Sequence, residues 1–151
     1  MKINTTKFGE IEIDEKLIFN FIEPILGYES LTKYALVDHT PGAPFKWLQS
    51  IENPNIAFPV TYPGFFGLNY DFVIPEEDVK KLEITNNETV LSINIVCIPQ
   101  GEPRNATINL IGPIVINTEN KKAMQIVLLN TSYSVKHKLF PVEIDKLVST
   151  S

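Results

Sequence analysis

The sequence predicts an all-β, mainly antiparallel fold in a single domain spanning 1–151, a sandwich or a barrel with one or two short helices. Three observations carry this expectation. Apolar and polar residues alternate through many short runs. Proline, glycine and asparagine fall between those runs, where turns are needed. Only one stretch has a clear helix start.

The runs follow in order. Ile11 and Ile13 alternate with Glu10 and Glu12, and Leu17, Phe19 and Phe21 form one face of the next run. Tyr34 to Asp38 is short and apolar, and Phe45 and Trp47 alternate with Lys46 up to Gln49. Ile56, Phe58, Val60 and Tyr62 share a face, with Pro59 opposite. Its missing N–H predicts an edge strand or a bulge there. Leu91, Ile93, Ile95 and Cys97 share a face, with Ser92 and Asn94 on the other. Ile108 and Leu110, the run from Pro113 to Ile116, and Met124 to Leu129 complete the set. The last two are apolar on both faces, which predicts a central position. Gly27, Pro41-Gly42, Pro54, Pro63-Gly64, Asn86-Asn87, Pro99-Gln100-Gly101 and Asn120 supply the punctuation.

The helix begins at Pro75, which suits a first helical position because its absent N–H would be unpaired there anyway. Glu76, Glu77 and Asp78 complement the positive end of the helix dipole. Val79 and Leu82 share a face, and Glu76–Lys80 and Glu77–Lys81 form i,i+4 pairs worth about 0.2–0.5 kcal/mol each. A short helical turn fits Glu29 to Lys33. From Ser134 onward, Leu139, Phe140, Val142, Ile144 and Leu147 suit a docked strand or a short helix, and the tail from about 141 is expected to be flexible.

Composition limits the function classes. The chain has 13 Lys plus Arg against 18 Asp plus Glu, a net charge of −5, which argues against a non-specific nucleic-acid binder. A 44% hydrophobic content suits a packed globular core rather than disorder. The single cysteine excludes an internal disulfide. No signal-peptide pattern opens the chain, and no apolar run approaches the roughly 20 residues of a membrane span. The expected location is therefore the cytoplasm. Asn-x-Ser/Thr triplets at Asn4, Asn87, Asn105 and Asn130 are then chance matches.

Few residues suggest chemistry. Cys97 is in phase with Leu91, Ile93 and Ile95, which predicts a buried core thiol rather than a nucleophile. Asp38-His39 is a poor acid/base dyad, because neighbours on a strand face opposite ways; an exposed loop pair fits better. His137 lies between Lys136 and Lys138, and no Cys-x-x-Cys or His-x-x-x-His spacing indicates a metal. Neither a phosphate-cradling glycine loop nor a nucleophile elbow is present. No cofactor, metal or catalytic residue is expected. Asp71, Glu76, Glu77 and Asp78 form either a solvated helix cap or a surface steering a basic partner. The stretch from Tyr62 to Tyr70 holds Phe65, Phe66, Asn69 and Tyr70. Its aromatics either fold back onto the core or anchor a protein interface. Trp47 reads as core, and Gln49 as an exposed or network residue.

Several motifs in combination resemble a known family. Pro44-Phe45-Lys46-Trp47-Leu48-Gln49-Ser50 and Asn53-Pro54-Asn55-Ile56-Ala57-Phe58 are followed, in order, by Phe66 to Tyr70, Ile98-Pro99, Asn109 to Asn117 and Gln125-Ile126-Val127-Leu128. Phe8-Gly9-Glu10-Ile11 and Phe21 to Tyr28 fit the opening. Over about residues 3 to 135 the chain resembles the bacterial flagellar assembly factor FliW family. Three turns depart from the family pattern: Ile25-Leu26-Gly27-Tyr28 for Ile-Pro-Gly-Phe, Tyr62-Pro63 for Asp-Pro, and Gly112-Pro113 for Ala-Pro.

The resemblance implies a small, β-barrel-like cytoplasmic protein without catalysis. It implies two protein partners, flagellin and the RNA-binding translational repressor CsrA, and no direct contact with nucleic acid or membrane. Flagellin export would free the protein to bind CsrA and relieve repression of flagellin translation, by an antagonism described as allosteric or non-competitive with RNA. Some members also stabilise flagellin as a chaperone does. An RNA-binding partner carries positive charge, so the expected partner surface is Asp71, Glu76, Glu77 and Asp78 with Phe65, Phe66, Asn69 and Tyr70, and with Gln49 as a further candidate. The alternative is a small-molecule-binding barrel or barrel enzyme, whose polar groups would be Asn94, Asn109 and Gln125 pointing inward. A weaker third reading, an OB-like nucleic-acid binder, suits short strands with aromatics but is opposed by the charge.

Overall fold

A computed structural model describes residues 1–129 and 131–140. Seven strands close into a barrel: β3 (Ile18–Glu23), β4 (Lys33–Val37), β5 (Lys46–Ser50), β6 (Ala57–Thr61), β7 (Val90–Cys97), β9 (Ile114–Asn117) and β10 (Lys122–Gln125). Neighbours β3 to β7 pair antiparallel in chain order. Two non-local pairings close the ring. β9 lies antiparallel to β7, with Leu91 opposite Ile116, and β10 runs parallel to β3, with Ala123 opposite Phe21. A short hairpin, β1 (Lys2–Thr5) and β2 (Gly9–Glu12), stands apart from the ring, and β8 (Thr107–Ile108) and β11 (His137–Lys138) extend the sheet beyond β7.

Alternation positions most side chains as expected, although Leu17, expected to share the face of Phe19 and Phe21, precedes β3 and is exposed. Phe19, Phe21, Tyr34, Leu48, Ile93 and Ile116 fill the barrel interior. The opposite face of β7 carries Val96 into a second cluster with Ile108, Leu110 and Leu139. A third cluster lies outside β9 and β10, where Val115, Met124 and Ile126 are covered by Leu82, Phe72 and Ile74. Ile114, Val115 and Ile116 of β9 are therefore buried, as a run apolar on both faces requires, whereas the Met124 to Leu129 run, also expected to be central, leaves Val127 and Leu129 exposed.

The one α-helix among the described residues, α1 (Glu76–Lys81), is preceded by Pro75 as its N-cap, one position earlier than expected. Six residues are too few for an isolated helix to be stable in water. The fully buried Leu82 at its C-cap docks it on the barrel. Lys81 makes its ion pair across to Glu23 of β3, at 2.9 Å.

Several local expectations change. Pro59 is on an interior strand, but the ladder from β6 to β7 starts only at Val60, so no bond needs the missing N–H. In place of the helical turn expected over Glu29 to Lys33, tight turns run from Ile25 to Leu31, with Tyr28 N–H donating to Ile25 O and Leu31 N–H to Tyr28 O, and Lys33 opens β4. Leu139 docks in the second cluster and Phe140 stacks on Phe66. The tail expectations for Val142, Ile144 and Leu147 lie outside the described residues.

Candidate functional site

The segment from Tyr62 to Leu82 crosses from β6 to α1 and carries most of the candidate residues. Pro63–Phe66 form a single 3₁₀ turn, ended by Gly67 at φ 70°, a left-handed conformation that glycine adopts without cost. The turn sends neighbouring aromatics in opposite directions. Phe65 is 62% exposed and stacks edge-on against Tyr62, beside a groove bounded by Ala43, Pro44 and Lys46. Phe66 packs into the second cluster against Phe45. Asn69 is exposed.

Tyr70 is an anchor. Its hydroxyl donates to Leu110 O at 2.7 Å and accepts from Asn94 Nδ2 at 3.3 Å, and its ring stacks between Phe72 and Tyr133. Burial pushes the phenol pKa up, against the smaller opposing pull of the Asn94 hydrogen bond. Tyr133 then fixes the next residue: its hydroxyl accepts from Asp71 N–H and donates to Asp71 O, both at 2.9 Å. From that fixed point Phe72 and Ile74 turn down onto the third cluster, while Asp71 and Val73 face outward. Val73 is 87% exposed. Glu76 and Glu77, at the start of α1, are also exposed, so this short segment carries an exposed valine and three exposed carboxyl groups. Lys122 pairs with Glu83 just beyond, and that hydrogen bond holds the Glu83 carboxyl below its usual range.

Four expectations need correction. Asp78 does not join the acidic face: it is only 7% exposed, and desolvation raises its pKa, with Glu77 adding to the effect. Its position in the first helical turn points it toward the barrel. Gln49 has no exposed surface; its Nε2 donates to Ser50 O (3.1 Å), Pro54 O (3.4 Å) and Ile56 O (3.2 Å), tying together the β5–β6 connection. It is a network residue. Trp47 is half-buried rather than core, with Lys7 Nζ 4.3 Å above its ring and Phe8 edge-on to it. Cys97 is exposed. It keeps the phase of Ile93 and Ile95, but at the end of β7 the strand has passed the barrel interior and pairs only with the two-residue β8. Cys97 and Trp47 both line an open groove of about 810 Å³ with Pro59 and Pro99.

The polar groups of the small-molecule alternative bond mostly to main chain, though Asn94 Oδ1 is buried without a partner among the described residues. Asn94 Nδ2 donates to Asn109 O, Asn109 Oδ1 accepts from Ile111 and Gly112 N–H, and Gln125 bridges Leu26 N–H and Gly112 O. The cavity reaching inward past Leu36, Val60 and Ile93 measures about 10 Å³, against roughly 300–1,000 Å³ for a typical ligand pocket. Asp38 and His39 are exposed, with His39 stacked on Phe8. Among the described residues no cluster of three or more His, Cys, Asp or Glu could hold a metal, and no helix is long and apolar enough to cross a membrane.

Val73 was missed from sequence. The available signal was period-2 phase: Phe72 and Ile74 flanking a valine, directly after Asp71.

A barrel filled by its own side chains, with its distinctive chemistry on outer faces, belongs to the class of small β-barrel proteins that offer surfaces. Comparison makes this specific. The model of the FliW protein family matches residues 2–139, so the chain belongs to the FliW family. The flagellar assembly factor FliW of Thermotoga neapolitana is 42% identical over 137 residues, 91% of this chain and 92% of that protein. That of Pseudothermotoga lettingae is 44% identical over 135 residues, covering 89% and 86%. A crystal structure of a flagellar assembly factor FliW superposes with a TM-score of 0.84 at 33% identity, covering 93% of this chain and 98% of that one. This membership supports a role in flagellar assembly.

Proposed function

We propose that this protein acts without catalysis, as a cytoplasmic regulatory binder that captures flagellin and, when flagellin is exported, binds CsrA and relieves repression of flagellin translation. The observation that carries the reading is the outer face at Asp71, Val73, Glu76 and Glu77. This short segment carries three exposed carboxyl groups and a valine that is 87% exposed. An RNA-binding partner carries positive charge, and complementary charge raises the rate of encounter more than it adds affinity. The exposed valine supplies the apolar contact that desolvates on docking. Tyr133 and the Lys81–Glu23 pair hold the two ends of the segment, so the face is preorganised and docking costs little ordering entropy.

The test is the association rate with purified CsrA for the Glu76→Lys/Glu77→Lys variant. Both positions are exposed, so the fold is retained. The rate should fall at low salt and recover toward wild type as the Debye length shrinks to about 3 Å near 1 M salt. Unchanged kinetics at low salt would remove this face from the interaction. Failure of the wild-type chain to bind either CsrA or flagellin would remove the function.

A further inference from the structure

The connection that carries the acidic face is held by a segment distant in sequence. Within residues 69–74 only Asp71 makes main-chain hydrogen bonds among the described residues, and both go to the Tyr133 hydroxyl, at 2.9 Å. The other ties of this stretch are side chains: Tyr70 through its hydroxyl and ring, Phe72 and Ile74 through the third cluster. One phenol therefore fixes the main chain midway between Gly67, where the 3₁₀ turn ends, and Pro75, where α1 begins.

Tyr133 belongs to a strap, residues 131–140, laid along the second cluster. Its described ties to the barrel are few. Leu110 N–H donates to Ser134 O at 3.0 Å, β11 pairs with β8 over two residues, and Leu139 N–H donates to Ala106 O at 3.1 Å. Tyr133 stacks on Tyr70 with 4.8 Å between ring centres, and Phe140 on Phe66 at 5.8 Å. Leu139, 3% exposed, is the only fully buried residue of the strap, with Tyr133 half-buried on the same cluster. Segments with few main-chain bonds and little buried apolar surface open at lower cost than a core. Because Tyr133 is the shared contact, opening of the strap removes the main-chain hold on residues 69–74.

We infer that the strap is a positioning device for the acidic face: it and residues 69–74 open and close as one unit, and Tyr133 is the positioning residue that links them. The coupling reaches Asp71 directly, and Val73, Glu76 and Glu77 through the chain that follows it. With the strap docked, a partner meets the face already ordered. With the strap open, docking must first order the segment, and that entropy cost weakens and slows binding. Linkage makes the effect reciprocal, so a partner seated on the acidic face holds the strap closed. The consequence for CsrA rests on the functional reading above; the coupling within the chain does not.

Residue-resolved amide hydrogen exchange of the full chain tests the coupling. In the wild-type protein the amides of Asp71, Leu110 and Leu139 should share one opening free energy, lower than that of Ser50, which is bonded to Ile56 O in the barrel. Leu139→Ala, at the far end of the strap from Tyr133, should speed exchange at Asp71 and Leu110 about tenfold or more. Tyr133→Phe, which keeps the ring and removes only the hydroxyl, should speed Leu110 and Leu139 about threefold or more. A purely local role for Tyr133 would free Asp71 alone. Purified CsrA should slow exchange at Leu110 and Leu139 on binding, and Tyr133→Phe should slow its association about threefold at low salt with every charge in place. Asp71 unmoved by Leu139→Ala, or Leu110 and Leu139 unmoved by Tyr133→Phe, would overturn the coupling. So would opening of the three amides no easier than that of Ser50. Unchanged CsrA kinetics in a variant whose amides have loosened together would overturn the positioning role. Failure of the wild-type chain to bind CsrA would remove the functional reading, and exchange in the free protein would still decide the coupling.

Discussion

Replacing Gln49 separates a buried hydrogen-bond network from a partner contact. The side chain has no exposed surface, and its two Nε2 hydrogens are shared among Ser50 O, Pro54 O and Ile56 O at 3.1, 3.4 and 3.2 Å. Two of these carbonyls keep another donor without it: Thr6 N–H reaches Pro54 O at 3.0 Å and Ser50 N–H reaches Ile56 O at 2.9 Å. Gln49→Leu keeps the volume, so it should cost only the net value of about two hydrogen bonds, partly offset because Oε1 is itself unpartnered. That is about 1–2 kcal/mol. At roughly 2–4 °C per kcal/mol for a chain of this size, the melting temperature should fall by about 2–8 °C. Gln49→Ala adds a cavity and should fall further, since cavities left by large-to-small changes carry their own cost. Thermal unfolding followed by circular dichroism reads both. A Gln49→Leu protein melting at or above wild type would refute the network argument. So would a folded Gln49→Leu protein that loses partner affinity, because the side chain is not available to a partner.

Three other perturbations follow from the same geometry. A Cβ on Gly112 would come within 2.7 Å of Gln125 Nε2 and 3.1 Å of Asn109 Nδ2. Gly112→Ala should therefore break the Gln125 bridge at a cost of about 1–2 kcal/mol. The same change should be close to neutral in a Gln125→Ala background, and equal costs in both backgrounds would show that the bridge is not what moves. Asp78 has a raised pKa through desolvation, so the folded state binds a proton more readily than the unfolded state. Stability then falls as pH rises from the unfolded value of 3.8 through the folded one, and the penalty is complete above it. Asp78→Asn should accordingly raise neutral-pH stability in chemical denaturation, with the gain gone below the unfolded value; a neutral-pH loss would contradict the burial argument. Cys97 is exposed and should react with a thiol reagent in the folded protein without unfolding. Labelling only on denaturation would restore the buried assignment.

What was legible in the sequence was phase. Alternation in Phe19–Phe21, in Ile56–Tyr62 and along β7 identifies which residues share a face, and the two-sided apolar run around Val115 identifies a strand covered on both sides. Pro75 with the acidic residues after it marks the helix within one position. The motif order marks the FliW family, which the comparisons bear out. Phase does not state what covers a face. Cys97 has the phase of Ile93 but stands past the end of the barrel, while Asp78 sits in an acidic run yet turns inward.

The sequence by itself determined most of the barrel strands and the alternation along them, the helix start to within one position, and the family. Only the tertiary structure decided the closure of the ring through β10 on β3 and β9 on β7, the burial of Gln49 and Asp78, and the hold of Tyr133 on Asp71. The physical reason is range. A side chain's direction follows from its own backbone and its neighbours two to four residues away, whereas its exposure depends on segments brought together from distant parts of the chain.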